Sequence, residues 1–507
     1  MNVADIVHHH ALWHPDREAV VCGNRRISYG RLADRIMRLA SVLASQGIGR
    51  NTRVGVLSTN SAEYVEIVYA LAELGAVWVP INFRLAPPEV EFILKDSGAT
   101  FLFYSSSFAG VAASIRDNFD ASLATVPLGE SADGRYESLL QAARPASKGM
   151  LQTDAPFALM YTSGTTGRPK GALLTHRQFL SGTYYFSAAI GASPQDRKLQ
   201  AIPQFHAGGA IYQMAYMLAG ATIVILPAFD PAAALTLMHE EGVTAAGFVP
   251  AMLNAVCDNA AGKNIPLPNL RQIMYGGSSI SSAALARAMD LFPVDFIQTY
   301  GQTEAGVIVT VLDSEAHRRA RTSGNEHLFR SCGRALLGYE IGLLGANGFN
   351  PTSGELCVRS NAVMTGYWKR PESTATTIVD GWLRTGDVAT RDEEGFYYIV
   401  DRKVDMIVSG GENVYALEVE NVLADLPDVA EVAVVGVPDA RWGEIVLAIA
   451  VSRTGRAITL DQVRQHCQGK LGGFKVPKRV EVIDSLPRNG SGKVLKYVLR
   501  SRFSASE

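Results

Sequence analysis

The sequence is poor in the features that mark nucleic-acid-binding and disulfide-rich proteins. Its 507 residues carry 47 lysines and arginines against 49 aspartates and glutamates, a formal net charge of -2, so no basic surface for a phosphate backbone is predicted. Its five cysteines are scattered and form no CxxC pair, which argues against a disulfide framework and for a cytoplasmic protein. The stretch from Met1 to Pro15 also lacks the basic start and apolar core of a secretory signal.

One long segment, from Leu199 to Phe229, lacks charged residues altogether. It exceeds the roughly 20 residues that span a bilayer, so length alone would suggest a membrane helix. Prolines and glycines interrupt it, however, and predict a loop, a helix near Ala210 to Leu218 and a strand near Thr222 to Leu226. We therefore expect buried elements of a globular protein and no membrane span.

The remaining composition is that of an ordinary globular enzyme, with 47% hydrophobic and 19% charged residues. The one excess is glycine, which supplies 47 residues. Glycine tolerates backbone conformations and close approaches that other residues do not. The positions of the glycines are therefore a guide to turns and binding loops.

Apolar runs alternate with helical stretches through the first three hundred residues. Ser28 can cap a helix whose apolar residues, from Leu32 to Leu43, recur at helical spacing. Short strands then alternate with helices, and the pattern restarts after a polar stretch at Ala132 to Thr153. This alternation predicts parallel strands with crossover helices, and hence two doubly wound α/β subdomains with glycine-rich turns at the strand ends.

The pattern changes twice towards the C-terminus. Short β-like runs from about Ser331 to Val400, without a long helical period, predict a small β subdomain. The last hundred residues combine strands and helices again and predict a small α+β domain. We expect a large N-terminal domain over residues 1–401 and a C-terminal domain over residues 402–507.

A loop rich in glycine and hydroxyl groups follows the predicted strand at Phe157 to Tyr161. Open backbone N–H groups, hydroxyls and cations at a strand end suit a polyphosphate. The spacing does not match a Walker A loop, and a merely flexible surface loop would not explain the hydroxyls and cations. The residues of this predicted phosphate loop are Thr162, Ser163, Gly164, Thr165, Thr166, Gly167, Arg168 and Lys170.

This loop resembles the signature of the acyl-adenylate-forming superfamily, which includes acyl-CoA synthetases, aryl-CoA ligases, luciferase and peptide-synthetase adenylation domains. The resemblance extends along nearly the whole chain in the family's order. The further matching stretches are Pro203-Gln-Phe-His206, Tyr300-Gly-Gln-Thr-Glu304, Arg384-Thr-Gly-Asp387, Asp401-Arg402 with Ser409-Gly-Gly-Glu-Asn413, and Pro487-Arg-Asn-Gly-Ser-Gly-Lys493. The resemblance also implies that the C-terminal domain is mobile.

The resemblance implies a site for ATP and Mg²⁺. Glu304 is a hard oxygen ligand for Mg²⁺, with Thr166 beside it, and Asp387 can accept hydrogen bonds from the ribose hydroxyls. Lys493 is implied to bridge the substrate carboxylate and the α-phosphate. The nucleotide-binding residues expected besides the phosphate loop are Gly276, Gly277, Ser278, Tyr300, Gly301, Gln302, Thr303, Asp387, Arg402 and Lys493.

An acyl pocket is expected beside the nucleotide. His206 precedes a pair of glycines that would let a ligand approach closely, although a core histidine satisfied by backbone is the alternative. The aliphatic and aromatic lining would select the acid by shape. The expected pocket residues are His206, Gly208, Tyr212, Val249, Met252, Gly276, Gly301 and Val307.

Coenzyme A is implied for the second half-reaction, after rotation of the C-terminal domain. One departure from the family lies at Val404, where many relatives carry a polar hinge residue, and neighbouring Asp405 can share that role. The residues expected to contact coenzyme A are Gly410, Gly411, Trp442, Phe474, Lys475 and Lys478.

The sequence therefore predicts a ligase that takes a small carboxylic acid, ATP and coenzyme A, with a homodimer as a candidate assembly. The apolar pocket and the absence of an obvious extra cation favour a medium-chain fatty or aryl acid, with hydroxycinnamate-type and short branched acids as alternatives. Two other functions stay open. One is transfer of the acyl group to a carrier protein, or its oxidation as in luciferase, and the other is a catalytically silent nucleotide-binding regulator.

Overall fold

The computed structural model describes most of the chain at the level of individual residues. The described ranges are 2–119, 123–129, 134–146, 152–162, 169–263, 265–278, 280–402, 405–409, 412–439, 442–468, 470–488 and 494–504, without the side chains of residues 118, 326, 401, 402, 412 and 413. The hinge candidate Val404 lies outside them.

The helices are distributed along the whole chain. They are α1 (Asp5–Trp13), α2 (Tyr29–Ser45), α3 (Ala62–Leu74), α4 (Pro87–Ser97), α5 (Ala109–Asn118), α6 (Arg135–Ala142), α7 (His176–Ala189), α8 (Ala207–Leu218), α9 (Pro231–Glu240), α10 (Pro250–Ala260), α11 (Ser282–Leu291), α12 (Ser314–Ser323), α13 (Pro371–Thr377), α14 (Ala416–Ala424), α15 (Leu460–Cys467) and α16 (Lys496–Ser504), with short 3-10 turns at Ser106–Phe108, Thr303–Ala305 and Glu326–Arg330.

The strands are numbered in the same way. They are β1 (Glu18–Cys22), β2 (Arg25–Ser28), β3 (Arg53–Leu57), β4 (Val77–Ile81), β5 (Phe101–Ser105), β6 (Ala124–Leu128), β7 (Pro156–Thr162), β8 (Lys170–Thr175), β9 (Arg197–Gln200), β10 (Thr222–Ile225), β11 (Ala245–Phe248), β12 (Gln272–Gly276), β13 (Asp295–Tyr300), β14 (Thr310–Leu312), β15 (Arg334–Ala335), β16 (Tyr339–Gly345), β17 (Gly348–Asn350), β18 (Ser353–Ser360), β19 (Gly366–Tyr367), β20 (Ile378–Val379), β21 (Trp382–Arg391), β22 (Tyr397–Arg402), β23 (Ile407–Ser409), β24 (Glu412–Val414), β25 (Val429–Asp439), β26 (Gly443–Ser452) and β27 (Arg479–Val482).

Two large sheets form the predicted pair of doubly wound subdomains. The first has the order β19-β8-β7-β4-β3-β5-β6, and its strands β7, β4, β3, β5 and β6 are parallel. The second has the order β15-β14-β13-β12-β11-β9-β10-β1-β2, with a parallel centre from β13 to β1. Parallel sheets of this kind are covered by helices on both faces, which explains the alternating pattern in the sequence.

Sheet membership departs from chain order at two places. The N-terminal hairpin of β1 and β2 joins the second sheet through the parallel pair of β1 and β10. The short strand β19, late in the chain, joins the first sheet beside β8. These long-range pairings tie the two subdomains together.

The main hydrophobic core lies between these sheets and is filled by helices buried on every side. In α3 every residue from Ala62 to Glu73 is buried, and α8 is buried over most of its length. A helix that packs on all faces is apolar nearly all around, as α8 is, unless its polar groups are paired, as Glu66 of α3 is with Arg35. The uncharged segment from Leu199 to Phe229 is thus explained by α8 and β10 inside this core.

Two smaller sheets complete the chain. Strands β16 to β18 and β20 to β22 form the predicted β subdomain, and β23 to β27 with α14, α15 and α16 form a separate C-terminal α+β domain. Two short helices lie in stretches for which the sequence analysis predicts a different structure. One is α6, which lies in the polar stretch from Ala132 to Thr153 and buries Tyr136 and Leu140. The other is α13, which buries none of its described side chains.

The predicted fold class is therefore confirmed. No helix in the described ranges is both long and apolar enough to cross a membrane.

Candidate active site

A tight turn after β13 shapes the centre of the candidate site. The backbone N–H of Val307 donates to the carbonyl of Gln302 at 2.8 Å, and that of Val309 donates to Tyr300 at 2.9 Å. A Cβ atom at Gly301 would lie 2.1 Å from the Val307 carbonyl oxygen, so only glycine fits there. Val307 itself has a φ of 82°, a strained conformation for a β-branched residue. This turn fixes the short helix at Thr303–Ala305.

Glu304, on that turn, is the meeting point of three segments. Its Oε1 accepts hydrogen bonds from the Thr162 hydroxyl at 2.8 Å and from the Tyr367 hydroxyl at 3.1 Å. Its carbonyl accepts from the N–H of Met364 at 2.9 Å. Burial, followed by the nearby Glu304 carboxylate, raises the pKa of Tyr367, which keeps that hydroxyl protonated as a donor. The carboxylate is therefore held at the end of β7.

The same place is where the predicted phosphate loop begins and ends. Thr162 closes β7 and pairs in antiparallel register with Lys170, the first residue of β8. The Lys170 ammonium lies 5.2 Å from the centre of the Tyr367 ring. The loop residues from Ser163 to Arg168 lie outside the described residues. Both ends of the loop thus flank Glu304.

Asp387 forms a second polar centre on the other side of the turn. It is 3% exposed, and its Oδ2 accepts from the Tyr300 hydroxyl at 2.6 Å and from the Gln302 amide at 3.0 Å. The Gln302 amide also donates to the Thr385 carbonyl at 2.8 Å. Burial and the neighbouring Asp387 raise the pKa of Tyr300 well above its ordinary value, so its hydroxyl stays a donor. This arrangement aims a carboxylate towards the turn.

The backbone of Arg402 lies next to that of Asp387. It pairs with Asp387 in the antiparallel register of β21 and β22, at the end of the β subdomain. The Arg402 side chain lies outside the described residues, as does the whole of Lys493. Thr303 begins the turn that carries Glu304. The structure thus gathers Thr162, Lys170, Glu304 and Asp387 around one turn.

His206 caps the N-terminus of α8. Its Nδ1 accepts from the N–H of Gly208 at 3.1 Å, which leaves Nε2 to carry the proton of the neutral ring. Burial, with a smaller contribution from Arg84, lowers the pKa of His206 and favours that neutral form. A Cβ atom at Gly209 would lie 2.1 Å from the Pro203 carbonyl oxygen. The glycine pair therefore serves the sharp entry into α8.

Tyr212, in the second turn of α8, lies between His206 and the strand ends of the second sheet. Its hydroxyl shares a hydrogen bond of 2.7 Å with the Thr299 hydroxyl, and its ring stacks on Phe186. A Cβ atom at Gly276 would lie 2.3 Å from Thr299 Oγ1. Burial raises the pKa of Tyr212 to about 12. Gly276 and Tyr212, both predicted pocket residues, therefore meet at Thr299.

The remaining predicted pocket residues border the same strand end. Gly277, with a φ of 84°, would place a Cβ atom 3.8 Å from Val249 Cγ1, just before α10. Met252 lies on α10 and packs against the second hydrophobic cluster. Ser278 is exposed. The expected wall of the pocket is thus a set of neighbours around the ends of β12 and β13.

The residues expected to contact coenzyme A form two aromatic–cation pairs on the C-terminal domain. The Lys478 ammonium lies 3.5 Å from the centre of the Trp442 ring, and the Lys475 ammonium lies 5.6 Å from that of Phe474. Lys475 also bonds both oxygens of Glu418, at 2.7 and 2.8 Å. A phosphate at Lys475 would therefore compete with that carboxylate. Gly410 and Gly411 lie outside the described residues.

Tyr367 is a functional candidate that the sequence analysis missed. It reaches Glu304 only because β19 pairs with β8, in the register of Tyr367 with Ala172. No motif marks it in the sequence, since its two-residue strand lies far along the chain from Glu304. Knowledge of that strand pairing would have been needed to find it.

The Tyr300–Asp387 bond provides a first test. We expect Tyr300→Phe to raise the KM for ATP several-fold and to cost about 1–3 kcal/mol of stability, because a buried carboxylate loses a short hydrogen bond. A matched control is Tyr398→Phe, which removes a 2.9 Å bond to Asp392 outside the site. Steady-state kinetics in ATP and thermal unfolding would measure both effects. An equal KM for ATP in the two variants would contradict the assignment of Asp387 to the nucleotide.

Comparisons with known proteins agree with this geometry. A family model described as an AMP-binding enzyme matches residues 7–368, and a second, described as an AMP-binding enzyme C-terminal domain, matches residues 418–493. A feruloyl-CoA synthase of Amycolatopsis sp is 38% identical over 96% of this chain and 96% of its own. A fatty acid–[acyl-carrier-protein] ligase, ScoC of Streptomyces coeruleorubidus, is 38% identical over 97% of this chain and 95% of its own.

A solved structure extends the likeness to three dimensions. The o-succinylbenzoate CoA synthetase of Bacillus subtilis, in complex with its acyl-adenylate intermediate, superposes with a TM-score of 0.87 at 29% identity, over 99% of this chain and 98% of that chain. The fold and the order of its elements are thus shared along the full length.

Proposed function

Because this chain belongs to the AMP-binding enzyme family and is an AMP-forming acid–CoA ligase that uses ATP and coenzyme A, we propose that its acid is of the medium-chain fatty or aryl class. The single observation that supports the site is the position of Glu304 between the two ends of the glycine- and hydroxyl-rich loop. A carboxylate beside a phosphate loop, with a buried Asp387 nearby, suits a nucleotide with its metal ion.

In the first step, a carboxylate oxygen of the acid attacks the α-phosphorus of ATP and pyrophosphate leaves. The hydroxyls and N–H groups of residues 162–167 and the ammonium of Lys170 would hold the phosphates, with Thr303 on the α-phosphate and Thr166 on the γ-phosphate. Asp387 would accept the ribose hydroxyls. Lys493 would offset negative charge between carboxylate and α-phosphate.

A magnesium ion fits this site. Mg²⁺ usually takes one or two protein carboxylates and fills its remaining positions with phosphate oxygens and water, so Glu304, assisted by Thr166, would suffice to hold it. When bound, the ion neutralises charge on the phosphates as pyrophosphate leaves.

In the second step, the thiol of coenzyme A attacks the acyl carbon, AMP leaves and the thiol proton passes to solvent. We place the boundary of the C-terminal domain between residues 401 and 402 and assign its Trp442, Phe474, Lys475 and Lys478 to the nucleotide part of coenzyme A. Arg402 would stay with the ATP site, and Gly410 and Gly411 would follow the pantetheine arm. Rotation about residues 404 and 405 would exchange the two arrangements.

Pyrophosphate release tests the first step directly. The protein is incubated with MgATP and a panel of straight-chain, branched and aryl acids, with an acid-free reaction as the control. We expect release that depends on the acid, and strongest for medium-chain or aryl members. Absence of acid-dependent release from every member would refute the ligase and leave the silent regulator.

Addition of coenzyme A tests the second step and separates the remaining alternative. The carrier-protein ligase ScoC shows that a chain of this similarity can use a carrier instead. We expect thioester and AMP to form with coenzyme A alone. Adenylation without a coenzyme A thioester, together with acylation of a phosphopantetheinylated carrier, would favour a ligase that transfers the acyl group to a carrier protein. The homodimer and the cytoplasmic location stay predictions.

A further inference from the structure

A lysine is buried at the centre of the second sheet. Lys198 lies on β9 between Ile223 of β10 and Ala245 of β11 and is 0% exposed. Lysine is almost never fully buried unless it is paired, because its ammonium loses hydration. Its position in an inner strand of a sheet core therefore needs a reason beyond packing.

Its partners in the described part of the chain do not neutralise it. The Lys198 ammonium donates to Gln200 Oε1, and its centre lies 6.0 Å from that of the Tyr212 ring. No described carboxylate pairs with it. Burial lowers the pKa of Lys198 to about 7, so the ammonium and the amine are close in free energy near neutral pH. The ammonium has three N–H donors and, with Gln200 as its acceptor, has capacity for a further acceptor.

Polar side chains surround Lys198 on the face of the sheet that packs against α8, in a layer that is otherwise apolar. The Gln200 amide donates to the carbonyls of Ile202 at 2.7 Å and Gly209 at 3.3 Å, which directs its oxygen to Lys198. On α8, Tyr216 accepts a hydrogen bond from Gln272 of β12. Polar groups are costly in such a layer unless they are used in hydrogen bonds.

Small residues separate these polar side chains. Ala245 pairs with Lys198 on one side and with Gln272 on the other, and the Tyr212 ring covers the neighbouring Gly247. A strand with small side chains leaves the space above it to its neighbours or to a ligand. A larger residue at Ala245 would therefore crowd the side chains of Lys198 and Gln272.

Tyr212 connects this face to the proposed acyl pocket. Its hydroxyl bonds Thr299, which borders Gly276 at the nucleotide end, while its ring centre lies 6.0 Å from the Lys198 ammonium. An acid that enters beside His206 with its carboxylate towards the nucleotide would extend past Tyr212. Lys198 is therefore the first cation that its far end would meet among the described side chains of this face.

We propose that Lys198 is a specificity-determining residue that binds an oxygen acceptor at the far end of the acid, so that the substrates are carboxylic acids with a distal ketone or carboxylate. This inference rests on the proposed function and sharpens it, since a purely hydrocarbon tail would leave the Lys198 amine beside apolar atoms. It replaces the expectation, drawn from the lack of an obvious extra cation, that the pocket is apolar throughout.

Matched acids provide the test. Acid-dependent pyrophosphate release is measured on the full chain with a straight-chain acid, the (ω-1)-oxo acid, which ends in a methyl ketone, and the dicarboxylic acid of the same length, over a series of lengths. We expect kcat/KM to favour the ketone or dicarboxylic acid by about tenfold or more at one length, since a site built to hydrogen-bond a substrate rejects the analogue without that group.

Two variants and one control test whether the preference for a distal oxygen depends on the Lys198 side chain. Lys198→Met should remove the preference while it maintains or improves turnover of the straight-chain acid. Lys198→Gln should keep a preference for the ketone, because its amide still donates, and lose that for the dicarboxylic acid. Leu199→Met, on the opposite face of the same strand and equally buried, should leave all ratios unchanged.

The outcomes are distinct. Turnover of straight-chain acids by the unaltered protein without any preference for a distal oxygen would overturn the role of Lys198 and leave the ligase intact, whether or not the variants fold. A preference that persists in Lys198→Met would overturn it as well. No pyrophosphate release with any acid would overturn both the inference and the proposed function.

Discussion

Glu304→Gln is expected to lower acid-dependent pyrophosphate release by about 10²–10⁴-fold, because it removes the carboxylate that accepts from Thr162 where the phosphate loop begins. Glutamine keeps the volume of the side chain and an oxygen that accepts from Thr162 and Tyr367. The change therefore removes charge while it leaves the local hydrogen bonds possible. We expect little change in thermal stability.

The dependence on Mg²⁺ distinguishes a metal ligand from a structural residue. If Glu304 holds the ion, the variant should need more Mg²⁺ for half-maximal rate, and a high concentration should restore part of the activity. Glu340→Gln is the matched control, because Glu340 is exposed and pairs with Arg359 across β16 and β18. Pyrophosphate release within about threefold of the unaltered protein in Glu304→Gln would refute the metal role assigned to Glu304.

Local patterns predicted the elements well because the relevant interactions are close in sequence. The apolar residues Leu32, Ile36, Leu39 and Leu43 all face the core from α2, and Ser28 caps that helix through the N–H of Arg31. In α3 and α15 the side chains of Ser61 and Thr459 cap the helix in the same way, through the N–H of Tyr64 and of Gln462. In each case a period and a capping residue determine the element.

Pairing between distant segments could not be predicted from such local patterns. The sequence analysis assigned strands to subdomains in chain order, whereas β1 joins β10 and β19 joins β8. A two-residue strand has no period, and its partner is chosen by the packing of the whole domain. This is why Tyr367 was missed although Glu304 was found.

The same distinction between local and long-range signals applies to the residues of the candidate site. Glu304, Asp387 and Thr162 were identified because their chemistry and their motif coincide, and the structure gathers them around one turn. Lys198 belongs to no motif and lies just before the uncharged segment from Leu199 to Phe229. A single buried cation becomes visible only when its neighbours across the sheet and on α8 are known.

Lys493→Ala is expected to separate the two half-reactions. Acid-dependent pyrophosphate release should fall by about 10²–10⁴-fold, since a cation that offsets charge as the carboxylate attacks phosphorus acts mainly in that transition state. Thioester formation from supplied acyl-AMP and coenzyme A should stay within about threefold of the unaltered protein, because the phosphorus is not attacked in that step.

The contrast between the steps makes this experiment independent of folding. A misfolded C-terminal domain would lose both activities, whereas a loss of the assigned cation affects one. Lys470→Ala, which removes an exposed lysine of the same domain, should leave both steps unchanged and controls for the lower net charge. Equal loss in both half-reactions of Lys493→Ala would show that the lysine supports the domain or coenzyme A, and its place in adenylation would pass to the cations of the phosphate loop, Arg168 and Lys170.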